Sequence, residues 1–587
     1  MIQQQLFWSV IGAVVFSGMP QFSQAQGLAK TAQLRRPIAL VLSEDEERIL
    51  VANHRSGTIS LVSRKDFRVI QEFKVAAKLS DLVFVKANGH YLATDEEKHE
   101  LLVLELETDK IKVRRRLPVS QYPVDIAVTS DGKTAYVTSL WSRRLTIVQG
   151  LAADSDREYV PQTIDLPFAP RRQLLTQEDA YLIIADSFGG RLLTFDTASQ
   201  EIIAEREFPA HNIRGLGISA NGKMLLVGHQ MLNELAHTVR NDVHWGLLMS
   251  NDLRWLRLEA IIDESVDLYK GAHMHPLGEA GHATADPNRL AVATDGTVVA
   301  TLGGIGEIAV GKEGDFSLRR IQVGQRPTAV VITKDSMSAI VANQFSDSLS
   351  VVDLAAKKVV KEIALGPQPE LSLVDRGEEL FFDATLSHDG WMSCQSCHTD
   401  GHTNGLLNDN FSDKSFGAPK RVLSLLGKKA TEPFAWNAAA ANLEDQIRSS
   451  IQQTMQSGEP PEDEIVEALV AYVETLGSPP SIDVAREQVD EPAIQRGAQM
   501  FQSLNCQRCH EPPTFTTPAT YDVGLVDSLG NDQYNPPTLL GVGQRGPYFH
   551  DNSAERLADV FKEFGHQLPR VLKGEELADL LAFLRSL

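Results

Sequence analysis

The sequence predicts a multidomain protein: an all-β seven-bladed propeller followed by two mainly α-helical domains. Two observations carry this. A β-rich unit recurs about every 43 residues through the first half. A helical segment with a short cysteine motif then occurs twice in the second half.

The repeat begins at Pro37, with PIALVLSEDEERILVANHRSGTISLVSRKDFRVIQEFKV. Further units start near Leu79, at Pro123, near Ala169, Asn212 and Asp286, and at Pro327. Each unit has three or four alternating, β-branched runs, separated by turn signals such as Ser130-Asp131-Gly132 and Asn221-Gly222. Four short strands every 40–45 residues mark a propeller blade, and a single blade cannot bury both faces, so seven units must close a ring. The expected propeller covers 37–366. The fifth unit carries a long insertion with His229, His237, His244, His273, His275 and His282. These histidines read as a polar, solvated insertion, as a metal site with His273-x-His275 the best candidate pair, or as a surface facing the second half of the chain.

The four cysteines all fall in C-x-x-C-H: Cys394-Gln395-Ser396-Cys397-His398 and Cys506-Gln507-Arg508-Cys509-His510. Two thiols at this spacing reach the two vinyl groups of one haem, and the next histidine serves as proximal iron ligand. Zinc binding or a redox dithiol uses the same C-x-x-C pair but leaves the following histidine unexplained. The expected cofactors are therefore two haem c, with His398 and His510 as metal ligands. The segments before the motifs are alike, Arg376-Gly377-x-x-Leu380-Phe381 and Arg496-Gly497-x-x-Met500-Phe501. This duplication predicts two cytochrome c-like haem domains, 370–480 and 488–587. Gly366-Pro367-Gln368-Pro369 and Ser478-Pro479-Pro480 are the expected linkers.

Residues Leu6–Gly18 form an apolar run followed by Ser23-Gln24-Ala25, a small-x-small pattern. This predicts a signal peptide over residues 1–25, or an uncleaved anchor because no Lys or Arg precedes the run, and hence a periplasmic location. No membrane span is expected after cleavage. The net charge of −21 argues against nucleic-acid binding and suits a basic partner.

From about Val374 onward the chain resembles the bacterial dihaem cytochrome c peroxidase and MauG superfamily. The resemblance rests on RGEELFFDATLSHDGWMSCQSCH, PFAWNAAAANLEDQ, RGAQMFQSLNCQRCH and PPTLLGVGQRGPYFHDNSAERLADV. The first half is similar to YVTN-type propellers. The resemblance implies a reactive first haem, a relay second haem, and catalytic roles for Trp436, between them, and Gln446, in the distal pocket. It implies a small redox protein, a cytochrome c or cupredoxin, or a protein or small-molecule substrate as partner.

Three departures follow from the same alignment. Thr454 stands where peroxidases carry an acid–base glutamate. Phe564 stands at the relay haem's sixth-ligand position, with His566 two residues on as the candidate ligand. Arg421 and Arg545 occupy the positions of an interhaem calcium site, so haem propionates rather than calcium are expected beside them. His550 matches a histidine near the propionates. His402 is a weaker candidate for the distal side of the first haem. Two alternatives stay open: a non-catalytic electron-transfer protein whose propeller binds a redox partner, and a propeller-centred enzyme or binding protein wired by the haems.

Overall fold

The computed structural model describes residues 32–151, 160–315, 318–411 and 414–587. The expected signal peptide lies outside these residues.

Seven four-stranded antiparallel sheets each run outward in sequence order from an inner strand. The inner strands are Pro37–Leu42, Leu79–Val85, Pro123–Val128, Pro170–Thr176, His211–Ile218, Pro287–Val292 and Pro327–Ile332. Each packs beside the next, and the ring closes where Pro327–Ile332 lies against Pro37–Leu42. Thr328 Oγ1 donates to the Pro37 carbonyl there (3.0 Å). The seven-bladed propeller is thus as the repeat predicts. Middle strands such as Thr58–Ser63 are buried on both faces and read as near-continuous apolar runs. Outer strands such as Lys110–Pro118 alternate buried and exposed residues, as a half-solvated strand must. The repeated "VAN" also has a cause: Asn53 Nδ2 donates to Thr58 and Ser60, and Asn343 Nδ2 makes the same pair of bonds to Ser348 and Ser350.

At the start of five inner strands a non-glycine residue has positive φ: Arg36 (56°), Tyr122 (65°), Asn212 (51°), Asp286 (54°) and Arg326 (49°). Such backbone costs about 1–3 kcal/mol per residue and persists only where surroundings enforce it. For three of the five the surroundings include the helical region. Arg36 pairs with Glu379 (2.9 Å), Asp286 accepts from Ser393 and Ser396, and the Arg326 guanidinium covers the Phe382 ring at 3.1 Å.

The duplication seen in the sequence is also a duplication of packing. Helix Leu373–Phe381 crosses helix Asp463–Val473, and helix Glu491–Ser503 crosses helix Gly574–Ser586. At each crossing a glycine permits backbone contact. A Cβ on Gly377 would lie 1.9 Å from the Ala468 carbonyl oxygen, and one on Gly497 would lie 2.0 Å from that of Asp579. Any side chain at either position forces the crossing apart.

The histidine-rich insertion differs from a solvated loop. It extends the second and third strands of the fifth blade (Met224–Leu232 and Met249–Arg257) and adds a short helix, Arg240–His244. Its residues Val243, Leu248 and Met249 share one apolar cluster with Phe381, Trp391 and Leu469 of the helical region. His229 and His275 are buried. His273 stacks on Trp255 (4.8 Å between centroids, 12° between planes), with His275 against the same indole. The stretch around Ser478–Pro480 is likewise packed. Just beyond it, Arg486 donates to the carbonyl oxygens of Ser142 and Arg143 on the third blade.

Candidate dihaem site

The first motif forms one helical turn, Cys394–Cys397, anchored directly on the propeller. Ser393 Oγ and Ser396 Oγ donate to the buried Asp286 carboxylate (2.6 and 2.9 Å), and His211 Nε2 bonds the Ser396 carbonyl (2.9 Å). The cysteine side chains pack among Phe381, Trp391, Met392, Ile451 and Met455. Burial pushes both thiols up to about 12. A reactive dithiol needs the opposite shift. Burial in the same way holds the His398 imidazole neutral, at about 4, the state in which it can ligate a metal.

The second motif lines a cavity of about 560 Å3, with Cys506, Cys509, His510, Trp436, Tyr534, His550, Phe561 and Leu580 among its walls. His510 Nδ1 hydrogen-bonds the Phe515 carbonyl (3.2 Å), which leaves Nε2 for a ligand. His566 lines the same cavity, and its Nδ1 is buried without a hydrogen-bond partner. Phe564, two residues earlier, is turned outward and 39% exposed. Three imidazoles therefore line the cavity: His510 of the motif, His566 from 56 residues further along the chain, and His550, whose Nε2 is bonded to Tyr534.

Trp436, contributed by the first helical domain, forms part of this wall. Its Nε1 donates to the Arg421 carbonyl (2.8 Å), and its ring sits 6.3 Å from His550. Arg421, Arg545 and Lys428 are all buried close by. Among the described residues, the charges acting on them are one another and Tyr548, with no carboxylate. Burial, reinforced for Lys428 by the two arginines, pulls the groups down to about 10, 9 and 7 respectively for Arg421, Arg545 and Lys428. The Nε atoms of both arginines have no hydrogen-bond partner. Three clustered buried cations without a counter-charge are costly unless an anion joins them. Haem propionates have the right charge and hydrogen-bonding capacity for this role, so the residues fit the cofactor on two counts: the paired imidazoles and the unpaired cations. Arg421 and Arg545 are the pair the sequence assigns to the propionates; Lys428 is the member it misses, because it belongs to no motif.

The remaining sequence candidates are placed as follows. Gln446 is on helix Leu443–Ser449, and its Nε2 donates to Ser450 Oγ (3.1 Å). Thr454 ends a π-helical turn, Ser450–Thr454, immediately before Met455 of the first motif's apolar cluster. His402 does not face an iron site. It is buried, with Nδ1 bonded to Ser424 Oγ and Nε2 to the Gln544 carbonyl, and its ring contacts Trp141 and Phe188 of the propeller. It is a junction residue among three domains, held by contacts that no local spacing reveals. His550 bonds Tyr534 through Nε2 (3.1 Å).

Fold and site together define a seven-bladed propeller joined to a di-haem cytochrome region. Comparison with known families agrees. Residues 372–481 match the family described as di-haem cytochrome c peroxidase, and 442–554 match that of di-haem oxidoreductases. The C-terminal region is thus of the di-haem cytochrome c peroxidase and MauG superfamily. The cytochrome c551 peroxidase of Nitrosomonas europaea is 24% identical over 285 residues, covering 40% of this chain and 85% of that protein. The methylamine utilization protein MauG of Methylophilus methylotrophus is 26% identical over 275 residues, covering 36% of this chain and 81% of that protein. Among solved structures, a chain of Kuenenia stuttgartiensis hydrazine synthase is similar, with a TM-score of 0.49 and 17% identity, over 58% of this chain and 99% of that one.

Proposed function

We propose that this chain is an exported, periplasmic di-haem c-type oxidoreductase. Cys394 and Cys397 hold one haem and Cys506 and Cys509 the other, with His398 and His510 as proximal ligands. His566 is the sixth ligand of the second iron. The units are 37–366, 370–480 and 488–587. The observation that carries this reading is the second cavity, where His510 and His566 share one space with the buried Arg421 and Arg545.

When bound, the haems supply one-electron redox chemistry. The chain's own residues do the rest. Asp286 and His211 fix the first motif against the propeller. Arg421, Arg545 and Lys428 hold the propionates. Trp436, placed on the cavity wall from the neighbouring domain, supplies the aromatic path between the haems. Gln446 orients an oxidant at the first haem by its amide. The second cavity opens beside Val523, Leu525 and Gln567 toward the surface, where a basic cytochrome c or cupredoxin would be drawn by the acidic chain.

A second reading, an electron carrier without peroxide turnover, is favoured by Thr454, which cannot shuttle a proton as a carboxylate does. Mass spectrometry of the purified protein tests the core of the proposal: two haem masses per chain are expected, and one fewer stable attachment site after Cys506→Ala. A chain with zinc and no covalent haem overturns it. Optical and EPR spectra before and after peroxide then separate the two readings.

A further inference from the structure

Two imidazoles and a carboxylate converge where the fifth blade meets the first helical domain. His244 ends the short helix Arg240–His244 of the blade's insertion, and His388 and Asp389 lie in the turn His388–Gly390 shortly before Cys394. His244 Nδ1 is 3.0 Å from His388 Nε2 and 2.9 Å from Asp389 Oδ2, and His388 Nε2 is 3.4 Å from the same oxygen.

One proton on His244 Nδ1 can serve His388 Nε2 and Asp389 Oδ2 together, and it leaves those two acceptors lone pair to lone pair at 3.4 Å. A cation at the centre takes a lone pair from all three atoms at once. The spacing also fits: donors about 2.0–2.1 Å from a tetrahedral zinc are about 3.3 Å apart. Two nitrogens and one oxygen suit a first-row divalent ion, whereas calcium and magnesium take six or more oxygens.

The ligands are positioned from both sides. Trp391 Nε1 donates to the His244 carbonyl (3.1 Å), Gly281 N donates to Asp389 Oδ2 (3.1 Å), and His388 N donates to the Met455 carbonyl (2.9 Å). Gly246, at φ 64°, leaves room for Trp391, since a Cβ there would lie 2.5 Å from the indole. The side chain of His388 is 11% exposed and that of His244 36%, so the triangle is held by packing yet reachable by an ion.

We propose that His244, His388 and Asp389 bind one zinc ion, with water at the fourth corner, and that this ion clamps the fifth blade to the segment leading into the first haem motif. The proposal stands independently of the redox chemistry. It is tested on the holoprotein, stripped with a chelator, desalted, and titrated with Zn2+ alone against a competing indicator, with haem per chain measured in parallel. One zinc per chain at a Kd of about 1 μM or tighter is expected. His244→Asn and His388→Asn should each weaken binding by about a hundredfold or more while haem content stays constant. His282→Asn, an exposed histidine of the same insertion, should leave affinity unchanged. If His388→Asn fails to fold, His244→Asn, at the exposed corner, still decides. Absence of stoichiometric zinc in the wild type, or undiminished affinity in His244→Asn, overturns the proposal.

Discussion

Ser396 Oγ lies 2.9 Å from Asp286 Oδ1, and through this bond a residue inside the first C-x-x-C-H motif is fixed to the axis end of the propeller's sixth blade. Ser393 makes a second bond to the same carboxylate. Asp286 is buried, and burial raises its carboxyl above the usual range against the lowering effect of both serines.

Asp286→Ala removes both acceptors and leaves two buried hydroxyls unmatched. The expected cost is about 2–3 kcal/mol, read as a lower urea midpoint for the helical region and faster proteolysis ahead of Cys394. Ser396→Ala should cost less, about 1 kcal/mol, because Ser393 keeps its bond. Equal midpoints for Asp286→Ala and wild type would mean that the contact is incidental.

Stability should fall on acidification, for a reason visible at the same interface. Burial holds His211 at about 4 and His229 at about 3. Below about pH 6.5 the unfolded chain takes up protons that the folded chain refuses. Stability from these groups is therefore complete above 6.5 and is lost as pH falls toward 4, by about 1.4 kcal/mol per unit for each histidine. Urea midpoints at pH 7.5 and 5 measure this, and His211→Gln should flatten the dependence. An unchanged slope in that variant would show that His211 titrates normally.

How much of this was legible in the sequence follows from the range of each interaction. The blades announce themselves through period-two strands and local turns, and all seven starts are readable because each unit keeps that internal pattern even where the insertion lengthens the fifth. The paired Arg-Gly segments mark the two helix crossings. What stayed hidden is long-range. His244 meets His388 across 144 residues, and nothing local ties the two. The insertion's conspicuous polar residues suggest a solvated segment as readily as a surface facing the second half; Val243, Leu248 and Met249, which seat it on the helical region, look ordinary in sequence. His402 lies four residues from His398 in the chain, yet its partners are Ser424 and Gln544, which no local spacing reveals.

At the second motif, His566→Ala removes the imidazole that faces the same cavity as His510. If His566 is the sixth ligand, the second haem should change from low-spin to high-spin by EPR and optical spectra, and its potential should shift upward as the donation of a neutral imidazole is lost. Haem content should stay at the wild-type level, since Cys506, Cys509 and His510 are untouched. A low-spin spectrum identical to the wild type would place another ligand on that iron. Phe564, outward and without a lone pair, is not a substitute.

Peroxide chemistry is the most exposed part of the reading. Cleavage of an O–O bond needs a group that removes a proton from the near oxygen and returns it to the leaving one. Such help is worth about 10²–10⁴ in rate, or roughly 3–5 kcal/mol. Thr454 closes the π-helical turn at the position the resemblance gives to that carboxylate, and Gln446, one helical stretch earlier, is tied to Ser450. Neither titrates. Peroxide turnover should therefore be well below that of a peroxidase with the glutamate, while slow oxidation of the haem pair persists. Thr454→Glu should raise the turnover rate by about tenfold or more, since Thr454 is only half-buried and its neighbours Gln452 and Gln453 are exposed, leaving room for a longer side chain. Stopped-flow traces of both proteins with peroxide decide the matter. Wild-type turnover at a full peroxidase rate would mean that another residue carries the proton.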